Sequence, residues 1–387
     1  MRDVIVAGIG ETPMGRYPDR SLHDMIAEAG RAALIDAAVD PARLGAAYVG
    51  NFAGQPLTGQ AHMGPLLAET LGIPHIPALR VEGACASGGL ALYQAVQAIR
   101  HGMHDVVLVG GVEKMTHQTT AVVTEALTSA MDVELEAQSG LTFPGIFAMV
   151  ANRYFHEHRD VSREMAQVAV NAHDNALLNP HAQLHKAIDV EKVLSAPRIA
   201  DPFGLYDCSL VTDGAAFLVL TAADVDTGST ARRVRITGSG HGGDTLTLHG
   251  RESLTSFRAT RQAAATAYEQ AGVGPGDIDL AEVHDCFTIT QIINTEDLGF
   301  FEPGRGGDAV AEGRTALRGD MPINTSGGLK AKGHPVGATG ISQAIEVITQ
   351  LRGDAGERQL ATADIGLTHN LGGTAGTCVI NIFEGES

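Results

Sequence analysis

The feature that most constrains the fold is an internal repeat, because stretches of the first half of the chain recur in the same order in the second. "VIVAGIG" at 4–10 matches "VRITGSG" at 234–240, and both are apolar strands that end in Gly-x-Gly. "AAVDPARLGAAYVGNF" at 37–52 matches "AGVGPGDIDLAEVHDCF" at 271–287, where a helix ends, a Val-x-Pro turn follows and a strand begins. Such self-similarity predicts two copies of one structural unit.

A third match pairs two helix starts. "CASGGLALYQAVQAIRHG" begins at Cys85 and "HPVGATGISQAIEVITQLRG" begins at His334. The apolar residues 7, 11 and 14 positions after each start are Leu92, Val96 and Ile99 in the first helix and Ile341, Ile345 and Ile348 in the second. These spacings predict core-facing helices. If the copies pack about a pseudo-twofold axis, Cys85 and His334 converge; if they do not, both are ordinary residues at distant helix starts.

Strands alternate with helices in both copies, and this predicts an α/β fold built from two βαβαβ halves. The first half covers 1–115 plus 200–224, and the second covers 231–387. The stretch 116–199 has no counterpart in the second half. It therefore predicts an inserted loop domain, and insertions on such scaffolds often build binding sites and contacts with other subunits.

Composition limits the function classes. The 387-residue chain is 44% hydrophobic and carries a formal net charge of −18, which excludes a basic surface for nucleic acid. It has no run of about 18 apolar residues, so we expect no membrane span, and its N-terminus lacks the features of a signal peptide. The four cysteines show no C-x-x-C spacing, which favours reduced thiols in a cytoplasmic protein over a zinc ribbon or a disulfide framework.

Cys85 is the first candidate for chemistry. A helix start offers free N–H groups and a positive dipole end, and both lower the pKa of a thiol. The small residues at 86–89 leave room for a substrate or another helix to approach. The alternative is a small buried cysteine at a tight helix–sheet contact, since free cysteine is often buried.

His334 lies in a second dense stretch, "NTSGGLKAKGHPVGATG" at 324–340. A histidine there can act as the base for a thiol or bind an oxyanion. The alternatives are a glycine-rich phosphate loop with an incidental histidine, and a cysteine hydrolase that uses Cys85 with His334. The stretch lacks the G-x-x-x-x-G-K-[ST] pattern, which argues against a nucleotide site.

Two strand ends carry further candidates. "EVHDCF" at 282–287 places His284 and Cys286 at the end of a strand, where a catalytic role is more plausible than a metal site, because adjacent strand residues point in different directions. "HNLGG" at 369–373 supplies backbone N–H groups that could form an oxyanion hole. Cys208 and Cys378 lie in or near apolar strands, so we expect both side chains to pack in the core.

Together these stretches resemble the thiolase superfamily over essentially the whole chain. "CASGG", followed by "VVLVGGVEKM", is similar to the nucleophile helix and the next strand, and "GGLKAKGHPVGATG" is similar to the activating-histidine segment. "HDCF" and "HNLGG" resemble the sterol-carrier-protein type and the archaeal acetoacetyl-CoA type. The resemblance implies a five-layer α-β-α-β-α arrangement of the two halves. It also implies that "HNLGG" replaces the element with the second cysteine of other thiolases.

The resemblance implies a role for each candidate. Cys85 becomes acylated by an acyl-CoA, His334 deprotonates it, and Cys286 moves the proton at the α-carbon or at the CoA sulfur. His284 and His334 stabilise the thioester oxygen of the enolate, and the N–H groups of Cys85 and Gly372 hold the oxyanion of the acyl-enzyme. The residues implied at the pantetheine and acyl pocket are Ser209, Phe143 and Met149.

Partners follow from the same resemblance. It implies acyl-CoA and CoA as substrates, no permanently bound cofactor or metal, and a homodimer or dimer of dimers. Some relatives work with a small zinc-ribbon/OB-fold partner protein. Two other functions stay open: a thiolase-like carbon–carbon lyase that forms no acyl-enzyme, and a partner-dependent subunit that binds acyl-CoA without reacting.

Overall fold

The structure is a computed structural model that describes residues 1–386. Nine strands form one mixed sheet in the order β3-β2-β4-β7-β1-β8-β11-β10-β9, and β5 and β6 form a separate hairpin. The strands are β1 (Val4–Glu11), β2 (Ala46–Gly50), β3 (Ala78–Val81), β4 (Val106–Glu113), β5 (Arg198–Ala200), β6 (Phe203–Gly204), β7 (Gly214–Ala222), β8 (Val234–Gly243), β9 (Leu280–Glu282), β10 (Ile365–Gly372) and β11 (Thr377–Gly385).

The strand order is symmetrical about its centre. β1, β7, β4 and β2 of the first half correspond to β8, β11, β10 and β9 of the second, and the half-sheets meet through a short antiparallel pairing of β1 with β8. Beyond β2 lies the parallel strand β3, and beyond β9 a single parallel bridge joins Ala281 to Ile323. The repeat predicted from the sequence is therefore a repeat of strand order and direction.

The helices complete the layers. They are α1 (Leu22–Asp36), α2 (Gly54–Thr58), α3 (Met63–Thr70), α4 (Ser87–Arg100), α5 (Thr120–Thr128), α6 (Phe143–Glu157), α7 (Ser162–Leu177), α8 (Val190–Leu194), α9 (Arg258–Ala271), α10 (Thr288–Asp297), α11 (Gly306–Ala311) and α12 (Thr339–Arg352). α1 packs on the outside of the first half-sheet and α9 on the outside of the second. α4 and α12 pack against each other and each contacts strands of both half-sheets, so the predicted α-β-α-β-α arrangement is confirmed.

The central helices meet through the residues that the spacing predicted. All six offset residues are buried and belong to one hydrophobic cluster between the half-sheets. Each such aliphatic side chain contributes about 1.5–3 kcal/mol when it is fully buried. Glycines allow the close approach, since a Cβ on Gly88 of α4 would lie only 2.8 Å from the carbonyl oxygen of Gly337, just before α12. The two halves therefore meet at a closely packed pair of helices, α4 and α12.

The Gly-x-Gly of the repeated strands has a different role from the expected strand end. β1 continues to Glu11 and β8 continues to Gly243. A Cβ on Gly8 would clash with the backbone of α1, and a Cβ on Gly240 would clash with the backbone of α9. The glycines of the motif therefore allow an outer helix to pack closely on each strand. The prediction that the strands end at the motif is wrong, since β1 continues to Glu11 and β8 continues to Gly243.

The halves differ in the connection that precedes their last strand. Between β4 and β7 the chain forms α5 to α8 and the β5–β6 hairpin, whereas between β10 and β11 it turns over residues 373–376. α6 and α7 pack on the second half of the molecule and share a core with α10. Within residues 1–386, no helix is long and apolar enough to cross a membrane.

Candidate active site

Cys85 lies on a tight turn that leads into α4. The turn is a short 3₁₀ helix over Ala84–Ala86, and the α-helix begins at Ser87, two residues later than the sequence predicted for Cys85. Ala84 has a φ of +52°, a conformation that costs energy for a residue with a Cβ. The Ser87 hydroxyl stabilises it by donating to the Ala84 carbonyl at 2.6 Å and accepting from the Gly83 N–H at 3.0 Å.

The electrostatics of Cys85 contradict the expected thiolate. Burial, with a smaller contribution from the negative charge of Glu113, raises the pKa of the Cys85 thiol to about 12. The N–H groups of Gly373 and of Cys85 itself donate toward the sulfur and offset only part of this effect. Loss of solvation therefore outweighs the helix start, and the thiol is protonated in the free site.

His334 is held as a neutral base. Its Nδ1 lies 2.7 Å from the Thr339 hydroxyl, and that hydroxyl donates its proton to the Pro335 carbonyl at 3.1 Å. This network assigns the proton to Nδ1 and leaves Nε2 as an acceptor. Burial lowers the pKa of His334 to about 3, so the ring is uncharged. Gly333, with a φ of +130°, gives the backbone the conformation that positions this histidine.

The two halves bring their functional side chains together. Cys85, His284 and His334 each place one donor atom within 4.8 Å of the other two. The rings of His284 and His334 meet edge to face, with centroids 5.2 Å apart. The alternative of distant helix starts is therefore wrong. Among the described residues, this trio is also the group with donor atoms close enough to hold a metal ion, and the absence of a metal stays a prediction.

His284 is neutral with the opposite tautomer. Burial lowers its pKa well below the usual range, and the neighbouring His334 lowers it further. The side-chain amide of Asn370 approaches Nδ1 at 3.4 Å, which assigns the proton of His284 to Nε2. The site thus holds one imidazole that can accept a proton and one that can donate a hydrogen bond.

Asp285 connects the two catalytic loops. Its carboxylate accepts from the N–H groups of Leu329, at 2.7 Å, and Lys330, at 3.4 Å. These bonds link the HDCF loop to the glycine-rich loop before His334. Asp285 is buried and serves this backbone contact rather than a metal.

Cys286 shares a cavity with Cys85. Burial raises the pKa of the Cys286 thiol well above its usual range, and the proximity of Cys85 raises it further. Its carbonyl accepts from the Ser209 N–H at 2.9 Å. A cavity of about 180 Å³ is lined by Cys85, Cys286, His334 and Ser209, with apolar walls that include Phe52, Met115, Leu127, Phe143 and Val336. Two protonated thiols and a neutral base therefore face one apolar pocket.

Comparison with known proteins follows this geometry. The chain matches the family models "Thiolase, N-terminal domain" over residues 4–224 and "Thiolase C-terminal domain-like" over residues 240–385. The chain is a member of the thiolase family.

Individual relatives cover almost the whole chain. It is 48% identical to the acetyl-CoA acetyltransferase of Methanothermobacter thermautotrophicus, over 99% of this chain and 100% of the relative. It is 32% identical to sterol carrier protein 2 of Oryctolagus cuniculus, over 98% of this chain and 72% of that protein. The resemblance to the archaeal and sterol-carrier types is confirmed.

Solved structures show the same fold. The Ltp2–ChsH2(DUF35) aldolase superposes with a TM-score of 0.86 at 24% identity, covering 99% of this chain and 98% of that one. The Acat5 thiolase from Ascaris suum in complex with coenzyme A superposes with a TM-score of 0.73 at 16% identity, covering both chains fully.

The pocket of this thiolase contains some of the predicted residues and not others. Phe143 and Ser209 line it. Met149 lies outside it with 42% of its surface exposed, because α6 turns Ile146, Phe147 and Val150 toward the core and leaves Met149 on the opposite face. Met149 therefore does not line this cavity, and its contact with substrate stays a prediction.

Two further positions differ from expectation. Gly373, in the turn after β10, lies close enough for its N–H to lower the pKa of the Cys85 thiol, whereas Gly372 ends β10 paired with Thr377; the role of Gly372 at the oxyanion stays a prediction. Cys378 is in the core as predicted, whereas Cys208 lines the pocket. The pocket of this thiolase thus contains three thiols.

Asn370 is a site residue that the sequence reasoning missed. Its side-chain N–H₂ donates to the Cys85 carbonyl at 3.0 Å, and its Oδ1 accepts from the Gly89 N–H at 3.1 Å. Through its contact with His284 it joins the nucleophile turn of one half to the histidine of the other. The sequence analysis of "HNLGG" predicts backbone donors and a family resemblance but no role for the Asn370 side chain, although a polar side chain at a strand end was the available signal.

Proposed function

We propose that this thiolase is an acyl-CoA C-acyltransferase that makes or cleaves the carbon–carbon bond of a 3-ketoacyl-CoA through an acyl-enzyme on Cys85. The observation that carries the proposal is the convergence of Cys85, His284 and His334 within 4.8 Å at the pocket that Cys286 also lines. The name of the 48% identical relative supports acetyl-CoA as the acyl donor and acetoacetyl-CoA as the condensation product.

The first step transfers the acyl group. The Cys85 sulfur attacks the thioester carbonyl while its proton passes to Nε2 of His334, which is unprotonated in the free site. The carbon–sulfur bond to CoA breaks, and the proton leaves with the CoA thiolate as CoA–SH. Since both partners begin neutral, charge separates only during attack, when the oxyanion donors can stabilise it.

The second step forms or breaks the carbon–carbon bond. In condensation, Cys286 first gives its proton to His334, and the resulting thiolate takes a proton from the α-carbon of the second acyl-CoA. The enolate then attacks the Cys85 thioester, and the released Cys85 sulfur regains a proton from His334. In cleavage, the protonated Cys286 gives its proton to the departing enolate and then takes one from the incoming CoA thiol. The raised pKa of Cys286 supports the role of proton donor.

Two sets of donors would hold the developing negative charge. The N–H groups of Cys85 and of Gly372, or of Gly373 beside it, would hold the oxyanion of the acyl-enzyme. The effect of the Cys85 and Gly373 N–H groups on the pKa of the Cys85 thiol supports this role. His284, with its proton on Nε2, would hold the thioester oxygen of the enolate. His334 joins it as a donor only after it has accepted the thiol proton.

The pocket is suited to a small acyl group. Its volume of about 180 Å³ and apolar lining favour a short acyl chain below a pantetheine arm. Phe143 would contact the acyl group or the arm, and Ser209 would lie beside the arm. A permanently bound cofactor has no part in this scheme.

Assembly and location are further parts of the proposal. We propose a homodimer or dimer of dimers in the cytoplasm. The dimer is supported by the unpaired edge of β3, where Leu79 is 55% exposed. We also propose a small zinc-ribbon/OB-fold partner protein. The Ltp2–ChsH2(DUF35) aldolase supports this, since its name gives two components.

The test is the CoA dependence of acetoacetyl-CoA cleavage. The acyltransferase requires free CoA and yields two acetyl-CoA per turnover, whereas a carbon–carbon lyase without an acyl-enzyme cleaves its substrate in the absence of CoA. A cysteine hydrolase consumes water instead of CoA and releases acetoacetate and CoA. Binding of acetyl-CoA with no turnover in either direction would favour the partner-dependent binding subunit.

A further inference from the structure

The side-chain amide of Asn370 has one possible orientation. Asn370 is buried on β10, and its Oδ1 lies 3.1 Å from the backbone N–H of Gly89 in α4. Its Nδ2 lies 3.0 Å from the carbonyl oxygen of Cys85. A backbone N–H can only donate and a carbonyl can only accept, so these two contacts decide which end of the amide is oxygen and which is nitrogen.

The fixed amide presents its remaining N–H to His284. The Nδ2 of Asn370 lies 3.4 Å from Nδ1 of that ring. An N–H donor that faces Nδ1 requires a lone pair there, so the proton of the neutral ring lies on Nε2. The backbone of His284 is held separately, because its N–H donates to Nδ1 of His369 at 3.3 Å and its carbonyl accepts from the side chains of Asn294 at 2.9 Å and Thr290 at 3.0 Å. Asn370 is thus the group that selects the tautomer.

The Nε2–H of His284 is free to serve a ligand. Within residues 1–386 no protein group forms a hydrogen bond with this nitrogen, although the residue is only 2% exposed. The neighbouring ring of His334 has the opposite tautomer, with a lone pair on Nε2. In the resting site, His284 is therefore the imidazole that can donate a hydrogen bond.

The tautomer matters most in the carbon–carbon bond step. There the thioester oxygen of the enolate carries negative charge, which a hydrogen-bond donor stabilises and a lone pair repels. If His284 were protonated on Nδ1, it would offer a lone pair at Nε2 in place of this donor. The competing explanation is structural: Asn370 would only support the turn at Cys85 and the close contact at Gly89.

We propose that Asn370 is a positioning residue that holds His284 in the Nε2–H tautomer and so makes this ring the hydrogen-bond donor for the enolate. Asn370 itself touches no reacting atom and acts through His284. The inference rests on the proposed function and deepens it, since it explains how a neutral histidine of one half becomes a donor through an amide anchored on the other.

The first test is the tautomer of His284 in the resting protein. It is measured by ¹⁵N NMR of protein labelled at histidine, with the His284 signals identified by their loss in His284→Ala. We expect an unprotonated Nδ1 in the wild type. Asn370→Asp still accepts from the Gly89 N–H but places an oxygen before Nδ1, so we expect Nδ1 to become protonated. A protonated Nδ1 in the wild type, or an unprotonated Nδ1 in folded Asn370→Asp, would overturn the proposal.

The second test is a double-mutant cycle on the condensation rate. With His284 present, Asn370→Ala should lower kcat about tenfold, the size of one lost hydrogen bond. In a His284→Ala background, the same substitution should change kcat by less than about twofold, because the group through which Asn370 acts is gone. Equal losses in both backgrounds would show that Asn370 has only the structural role.

Asn381→Ala is the matched control. Asn381 is a buried asparagine on the neighbouring strand β11, and its Oδ1 accepts from the Ser239 hydroxyl at 2.7 Å. Its effect on kcat should be the same with and without His284. A dependence on His284 as large as that of Asn370→Ala would reflect a general change of the fold and would overturn the assignment.

The acylation rate of Cys85 separates this inference from the proposed function. We expect Asn370→Ala to slow the appearance of the acetyl adduct far less than it slows condensation, whereas equal slowing would overturn the inference in favour of a damaged turn at Cys85. Absence of any adduct on the wild type would refute the acyl-enzyme instead. The NMR result would remain interpretable in that case, because it needs no turnover.

Discussion

The two halves of the molecule share one strand order and divide the chemistry between them. The first half presents Cys85 on a strained turn directly before α4. The second half presents His334 five residues before α12 and adds His284 and Cys286 from the loop after β9. The scaffold is symmetrical but the site is not: the proposed nucleophile lies on one copy, and the proposed proton-transfer groups lie on the other.

The connections differ in the same way. The first half inserts four helices between β4 and β7, and the second half makes only a turn between β10 and β11. The insertion supplies Phe143 to the pocket, and the turn supplies the N–H of Gly373. Equivalent places on the scaffold therefore contribute different groups: the long connection contributes a side chain to the pocket wall, and the short one contributes a backbone N–H near Cys85.

Removing the nucleophile of the first half should have the largest effect. Cys85→Ala leaves His334, His284 and Cys286 in place but removes the atom that accepts the acyl group. We expect cleavage of acetoacetyl-CoA by CoA to fall by at least about 10³-fold. The measurement is kcat at saturating substrate, and residual activity within tenfold of the wild type would contradict the assignment.

Removing the acid/base of the second half should slow turnover without preventing acylation. For Cys286→Ala we expect a loss of about 10²–10⁴ in kcat for cleavage and condensation, the usual range for general acid–base groups. Cys208→Ala is the matched control, since Cys208 lines the same pocket and has no assigned step. Equal losses in the two variants would indicate pocket damage instead of proton transfer.

The joint between the halves should be sensitive to a single methyl group. A Cβ on Gly340 of α12 would overlap the Asn370 side chain and the Gly89 backbone of α4. We expect Gly340→Ala to lower the free energy of unfolding by about 1–3 kcal/mol, as overpacked cores do. Gly276→Ala, at a site with open space around the new methyl, should stay within about 0.5 kcal/mol. Denaturant titration would compare them, and equal stability would contradict the tight central layer.

The smallest effect should separate the two faces of α6. Phe143 lines the pocket and Met149 faces outward. Phe143→Ala should raise KM for acetoacetyl-CoA about fivefold, the equivalent of about 1 kcal/mol of lost apolar contact. Met149→Ala should leave both KM and kcat unchanged. A raised KM in Met149→Ala would place Met149 in the substrate site.

Much of the fold could be predicted, because a repeat constrains an α/β chain strongly. Matching offsets after Cys85 and His334 identified the central helices and the side chains that converge. The rule for a helix start predicted a thiolate at Cys85, and it failed because burial of the sulfur outweighs a few N–H groups. Local sequence carries no measure of that burial.

The missed residues have partners far away in the chain. Glu113 meets Gly337 and Asn370 meets Cys85, contacts that span more than half the sequence and leave no local pattern. The proximity of the Gly373 N–H to Cys85 depends on where β10 ends, and strand ends are poorly fixed by sequence. Met149 lies in the insertion, where the repeat offers no second copy to align.

The most direct test of the division between the halves is the intact mass of the protein after brief mixing with acetyl-CoA. We predict one added acetyl group on the wild type, the same adduct on Cys286→Ala, and none on Cys85→Ala. Loss of the adduct in Cys286→Ala, or its persistence in Cys85→Ala, would contradict the claim that the first half holds the acyl group while the second half moves the proton.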